Sequence, residues 1–345
     1  MKKFIFYSIT LLAGIIIFIF VVREVGTNEI FETISAFSYW KWLVVIFVGL
    51  ISFFIGVERW RYIIKALTGK KLSFKFATYA KTIGWTISYI TPISYIGGEP
   101  HKVYLLKQEA DIDWGPAGAS VFIDEVLDLS MALLFLIIGA IFLFIKFSVP
   151  RVLFFVLAGS IGTLVILWLV FWRQTHTGKG FMSFFIQLLR LDKIKWVNGI
   201  QEKIKIVERQ TADFFKNHKR QFFVALSLAF SERIVLITTF WLIVEFLGQH
   251  TNIFQIMGIM ALTVAVNFLP LPASLGGQEA SQTVVFNLFG LGPATGLVFS
   301  LILRILCIGG VVVGLLFLLN FEFKIIKQKL AALGERLTNF FSKFS

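Results

Sequence analysis

The chain contains a single cysteine, Cys307, which excludes an intramolecular disulfide framework and a cysteine-rich metal site. Its four histidines (His101, His176, His218 and His250) are scattered without metal-ligand spacing, so no metal is expected. No phosphate-binding glycine loop, dinucleotide fingerprint or nucleophile elbow occurs, so no cofactor or catalytic residue is assigned and ATP-driven transport by this chain alone is not expected. Charge is also scarce. Charged residues make up 15% of the sequence, against about a quarter in ordinary soluble domains. No low-complexity linker or soluble-sized polar domain is visible, which leaves 1–345 as one integral membrane domain.

What the chain has instead is apolar surface. It is 57% hydrophobic, with 40 phenylalanines and a mean hydropathy of +0.82. Several apolar runs exceed the length of about eighteen residues that reads as a spanning helix, so the chain reads as an all-α polytopic membrane protein. The first run, Phe4–Val22, follows Met1, Lys2 and Lys3 as a signal peptide would. It lacks a small-residue cleavage site and is followed by more spans, so it reads as a retained helix. The net charge of +13 lies mostly in loops beside spans. This is the positive-inside pattern with affinity for anionic lipid headgroups, and nucleic acid is not an expected partner.

Full spans are expected near 4–22, 40–58, 117–145, 151–172, 221–247 and 293–319. The stretch from Arg59 to Lys81 carries seven basic residues and no acid, and 173–220 carries eleven Lys/Arg against four acids. Both read as cytoplasmic, as does the basic tail 321–345, which places both termini in the cytoplasm.

Two short segments then stand out: Thr91-Pro92 running to Gly97-Gly98-Glu99-Pro100, and Pro270-Leu271-Pro272 running to Gly276-Gly277-Gln278-Glu279. In each, a proline precedes a glutamate by seven positions, with a double glycine just ahead of the acid. Broken helices at membrane depth are tolerated only where protein or water satisfies the backbone, and a matched pair of Gly/Pro interruptions points to a transporter's binding site. Loop charge is consistent on one face only if each segment dips in and returns by the same side, the first over about 74–110 and the second over about 252–290. The expected architecture is six full spans plus two re-entrant helical hairpins in an inverted repeat, with eight complete spans as the alternative. Repeat 1 covers about 40–147 and repeat 2 about 221–320. An offset of 180 residues carries Pro92 to Pro272, Gly97 to Gly277, Glu99 to Glu279 and Asp124 to Arg304. Two amphipathic stretches, the connector 173–220 (Val197, Ile200, Ile204, Val207, Thr211, Phe214) and the tail (Ile326 to Phe344), read as helices at the cytoplasmic interface or packed on the protein's own loops.

Glu99 and Glu279 are the leading site candidates, because an ionisable group inside a span costs about 2.5–3.5 kcal/mol on insertion scales and needs a cavity or a partner. Half-helix N-termini at the tips favour an anionic group such as a phosphate. The alternative is that both glutamates only cap helices and pair with nearby cations. Asp124 and Asp128, four apart on one helix face with Glu125 between, are the second cluster, and Arg304 is the candidate partner for one of them. Glu232 and Arg233 read as an intramembrane pair, Lys102 as a phosphate contact, and Glu58-Arg59-Trp60-Arg61 as an interface anchor with Trp60 among the headgroups.

Gly97-Gly98-Glu99-Pro100-His101-Lys102, Asp124-Glu125-Val126-Leu127-Asp128 and Asn267 through Glu279 together resemble the flippase-like family of the lysylphosphatidylglycerol synthase transmembrane region, the membrane part of the bacterial MprF proteins. The resemblance spans nearly the whole chain. Lys102 stands where the family often has arginine, and Glu125 where a basic residue is expected. The resemblance implies a protein of the bacterial plasma membrane that binds or moves a phospholipid or lipid-linked substrate. The residues singled out above, Glu99, Glu279, Asp124, Asp128, Arg304, Lys102, Glu232 and Arg233, are the candidates for its site. In two-part members a soluble domain makes lysyl-phosphatidylglycerol. No such domain is seen before Ser345, so this chain is expected to be a translocator. A lipid-modifying enzyme with a separate partner, or a membrane scaffold, remains the alternative.

Overall fold

A computed structural model describes residues 15–35, 37–91, 97–267 and 271–341, with side chains over the same ranges except at 29, 195–197, 272 and 321–341. Among these residues every regular element is helical, and there is no strand. Helix α1 runs through 15–25. It is followed by α2 (Thr27–Ser35), α3 (Tyr39–Thr68), α4 (Phe74–Ile90), α5 (Glu99–Glu109), α6 (Trp114–Lys146) and α7 (Arg151–Thr177). Then come α8 (Phe181–Leu188), α9 (Lys195–Asn217), α10 (Lys219–Phe246), α11 (Ile253–Asn267), α12 (Gly277–Leu288) and α13 (Pro293–Phe341).

Local chemistry accounts for the helix ends. Ser73 accepts a hydrogen bond from the Phe76 amide and starts α4, while Pro100 occupies the first turn of α5, where no amide is needed. α3 stops at Gly69, whose φ of 71° turns its N–H back to the Lys65 carbonyl.

Five helices among the described residues are long and apolar enough to cross a membrane: α3, α6, α7, α10 and the Pro293–Asn320 part of α13. They match five of the six expected spans. The sixth, 4–22, begins outside the described residues. α3 corrects one expectation. It continues through Arg59, Arg61 and Lys65 to Thr68, and α4 takes up Lys75 and Lys81. Of the seven cations assigned to one basic loop, only Lys70 and Lys71 are outside a helix. A helical rise of about 1.5 Å per residue makes this 30-residue helix roughly 45 Å long, longer than the hydrocarbon layer.

The two Gly/Pro segments each separate a pair of antiparallel helices. α4 and α5 lie antiparallel, with Ser88 at Gly98 and Gly84 against Lys102. α11 and α12 do the same, with Thr263 bonded to Gln278 and Gln282 and Gly258 against Phe289. The hairpins then cross over: α4 packs along α13 and α11 along α6. Tyr79 Oη on α4 donates to the Phe317 carbonyl on α13 at 3.1 Å, and Gly139 on α6 abuts the backbone of Met257 on α11. α3 and α10 form the central antiparallel pair, where Ser52 Oγ donates to the Glu232 carbonyl 180 residues away. The largest core, between α6, α10, α11, α12 and α13, includes Leu136, Ile243, Ile259, Phe286 and Phe299. Apolar side chains such as Phe47, Leu169 and Leu316 remain on the outside, as lipid contact requires.

The connector departs from a purely interfacial helix. α9 sets Ile206 and Val207 against Gly115 and Gly118 of α6 and buries Phe214 completely, so of the two expected alternatives it takes packing against the protein. Lys203 lies over the Trp114 ring at 4.9 Å. Val197 and the tail's apolar side chains lie outside the described side chains.

Candidate functional site

Charged side chains collect where α3, α4, α6 and α10 meet. Arg59 is 2% exposed; its Nε donates to Asp124 Oδ1 and its Nη1 to Glu232 Oε2, each at 2.6 Å. Asp124, equally buried, also accepts from Lys81 Nζ at 3.0 Å, and Lys81 donates in turn to the Gly56 carbonyl at 2.8 Å. Asp128 accepts from Arg233 Nη2 at 2.9 Å and lies 4.0 Å from Arg59. Arg59, Lys81 and Arg233 thus face Asp124, Asp128 and Glu232, and the cluster is neutral as a whole. Buried ions persist only when paired and hydrogen-bonded, which this chain of contacts achieves.

Each hairpin tip adds a smaller group. At the first, the Gly98 amide donates to Ser88 Oγ at 2.9 Å, and Gly98 touches the Gly84 backbone so closely that a Cβ would fall on its carbonyl. Glu99 opens α5 and meets Lys102 Nζ at 3.2 Å. Lys102, 4% exposed, donates to Glu125 Oε1 of α6 at 2.8 Å. At the second tip, Ala273 and Ser274 both hold φ near 51°, a left-handed conformation that non-glycine residues seldom take. Glu279 is fully buried. Its Oε2 accepts the Gly276 amide at 2.8 Å and its Oε1 accepts Arg304 Nε at 2.6 Å and Nη2 at 2.5 Å. Arg304 Nη1 reaches the Ala273 carbonyl at 3.3 Å. The two tips approach one another, since the end of α4 packs on Pro272–Ser274 and Tyr89 faces Arg304 and Glu279.

The sequence-selected residues are brought together, but in different pairs. Arg304 does not pair with Asp124; it holds Glu279, one short helix away, because α12 folds back on α13. Glu232 and Arg233 do not pair with each other, since neighbours on a helix point to different faces; each joins the central cluster separately. Trp60 is buried in the core and not among headgroups. Gly97 and Gly276 lie outside the helices, just before α5 and α12, and Gly277 opens α12. Pro92 and Pro270 lie outside the described residues, as does the Pro272 side chain. Two participants were missed, Arg59 and Lys81, while Glu125, named with the Asp124 cluster, pairs instead with Lys102. A signal for Lys81 was present, because Ala77, Lys81, Gly84 and Ser88 share one face of α4 at steps of four and three. Arg59 was read as terminal because Arg61 and Lys65 follow it, although no helix stop intervenes before Gly69.

Apolar helices of spanning length around a buried set of paired charges define a multi-pass membrane protein with a polar interior. The chain belongs to the family of the lysylphosphatidylglycerol synthase TM region, whose profile matches residues 5–314. It is similar to a UPF0104 membrane protein of Methanocaldococcus jannaschii, 23% identical over 314 residues that cover 86% of this chain and 89% of that protein. A UPF0104 membrane protein of Methanothermobacter thermautotrophicus is 19% identical over 312 residues, covering 87% and 90%.

Proposed function

We propose that this protein binds an amphipathic lipid with an anionic headgroup and translocates it between leaflets. The observation that carries the reading is the exchange of hairpins between two halves. Removing the 180-residue offset from Met257 and adding it to Gly139 gives Ala77 and Leu319, two residues along each helix from the contact of Tyr79 with Phe317. The α3–α10 crossing joins Ser52 to its own offset equivalent, Glu232. Such a register supports an inverted repeat over about 40–147 and 221–320, with re-entrant hairpins entering from opposite faces. Repeat interfaces near the midplane are where alternating-access transporters hold their substrates.

In this reading the headgroup phosphate competes with Glu279 for the planar fork of Arg304, and with Glu99 for Lys102, while acyl chains stay in the bilayer. Tip amides assist, because exposed helix N-termini favour negative charge. The phosphate of a phospholipid or of a lipid-linked sugar carrier fits equally. The chain lies in the plasma membrane with both termini cytoplasmic, following the positive-inside distribution.

The test is to purify the protein with its native lipids, identify those that co-purify, and measure their leaflet exchange in proteoliposomes. Exchange is expected from the wild type and is expected to be lost in a folded Glu99→Gln/Glu279→Gln variant. Normal exchange by that variant would sink the tip mechanism, and no exchange of any bound lipid would favour a scaffold.

A further inference from the structure

Charge is balanced in two of the three buried groups and not in the third. The central cluster sets three cations against three carboxylates, and the second tip sets Arg304 against Glu279. The first tip has two carboxylates, Glu99 and Glu125, on one ammonium, that of Lys102. Among the described residues no other cation touches either acid.

The neighbours do not supply the missing charge. On α4, Lys81 is committed to Asp124 and the Gly56 carbonyl, and Ser88 brings a hydroxyl 3.5 Å from Glu99. On α5, His101 turns its ring toward Tyr104 at 6.1 Å. On α6, Asp124 adds a further negative charge, which Arg59 of α3 and Lys81 hold. The side chains of Glu99 and Glu125 keep 19% and 25% exposure, so both acids are reachable from a surface, while Lys102 is sealed between them.

A net negative charge inside the apolar part of a membrane is expensive, and a carboxylate without its own cation neutralises by taking up a proton. Like charges that share one partner bind and release protons as a coupled pair. We infer that Glu99, Lys102 and Glu125 form a proton-binding site that holds one exchangeable proton between the two carboxylates. The second hairpin has no counterpart: the 180-residue offset carries Lys102 to Gln282 and Glu125 to Ile305. The proton therefore belongs to one side of the molecule only. Given the lipid-moving reading, on which this further step rests, that asymmetry makes it the coupling ion: protonation frees Lys102 from one acid, and a lipid phosphate takes the vacated contact.

The site itself is tested without any transport measurement. Infrared difference spectroscopy of the purified protein in lipid nanodiscs reads the carboxylic C=O band that only a protonated carboxyl shows. The wild type is expected to show it at neutral pH. Glu125→Gln and Glu99→Gln should each abolish it, because either leaves one acid on one ammonium, and Lys102→Gln should roughly double it. A wild type without the band, or a band unchanged in both glutamate variants, overturns the site. The coupling is tested in proteoliposomes with the membrane potential clamped. A pH gradient of one unit should bias the lipid up to about tenfold toward one leaflet, and the bias should vanish in Glu125→Gln. Exchange that ignores the gradient overturns the coupling. A protein that shows the band but moves no lipid refutes the proposed function and leaves the proton site standing.

Discussion

Removing Arg59 should expose how the central cluster is wired. An Arg59→Met substitution keeps most of the side-chain volume and deletes two charge-assisted bonds of 2.6 Å. Breaking a buried ion pair from one side costs about 3–5 kcal/mol, because the partner stays buried and uncompensated. The two partners are not equally stranded. Asp124 keeps Lys81 at 3.0 Å, whereas Glu232 has no remaining cation within contact among the described residues. Adding Glu232→Gln to Arg59→Met therefore leaves two intact pairs, Lys81 with Asp124 and Arg233 with Asp128, and should recover about 2 kcal/mol of the loss. Adding Asp124→Asn instead frees Lys81, which lies beside Glu232 at Gly56 without touching it, and should recover less than Glu232→Gln does. Reversible unfolding in mixed detergent, followed by the fluorescence of the nine tryptophans, measures all four proteins. Greater recovery with Asp124→Asn than with Glu232→Gln would refute the assignment of partners.

Two further predictions concern the tips and their packing. Gly98→Ala should destabilise the protein by about 1–3 kcal/mol through forced overpacking against Gly84, whereas Gly159→Ala on α7, where a Cβ meets nothing within 4 Å, should be neutral or stabilising by up to about 1 kcal/mol; thermal shift in nanodiscs reads both, and equal effects would contradict the close approach at the first tip. Arg304→Lys preserves the charge but loses the fork that spans Glu279 and the Ala273 carbonyl. With about 1.5–3 kcal/mol for such a bond, lipid exchange should fall by about tenfold or more, and unchanged exchange would show that charge alone is sufficient there.

The hairpins illustrate how far sequence reasoning reaches. Gly97-Gly98-Glu99-Pro100 and Gly276-Gly277-Gln278-Glu279 mark their own turns, since double glycines and prolines break helices wherever they stand. The acids beside them mark helix starts, and Glu279 indeed caps α12 while also pairing with Arg304. The capping and the ion pair, posed as alternatives to a ligand role, are both present. Arg59 illustrates the opposite. Its surroundings in sequence, Glu58, Trp60 and Arg61, look like a membrane border, and Glu58 does pair with Arg61 on the helix surface. Yet Arg59 points the other way, into the junction of α3, α6 and α10.

The sequence by itself determined that the chain forms membrane-spanning helices, where two of them break, and which family it belongs to. Each of these depends on local composition: apolar run length sets insertion, and glycine and proline set the breaks. Only the tertiary structure decided which charge answers which. Arg59 meets Asp124 and Glu232 across 65 and 173 residues, and Lys102 meets Glu125 across 23. Those pairings depend on helix crossing and rotation, which set the faces that turn inward. Unpaired buried charge is costly, and that same rotation set two carboxylates, Glu99 of α5 and Glu125 of α6, on the single ammonium of Lys102.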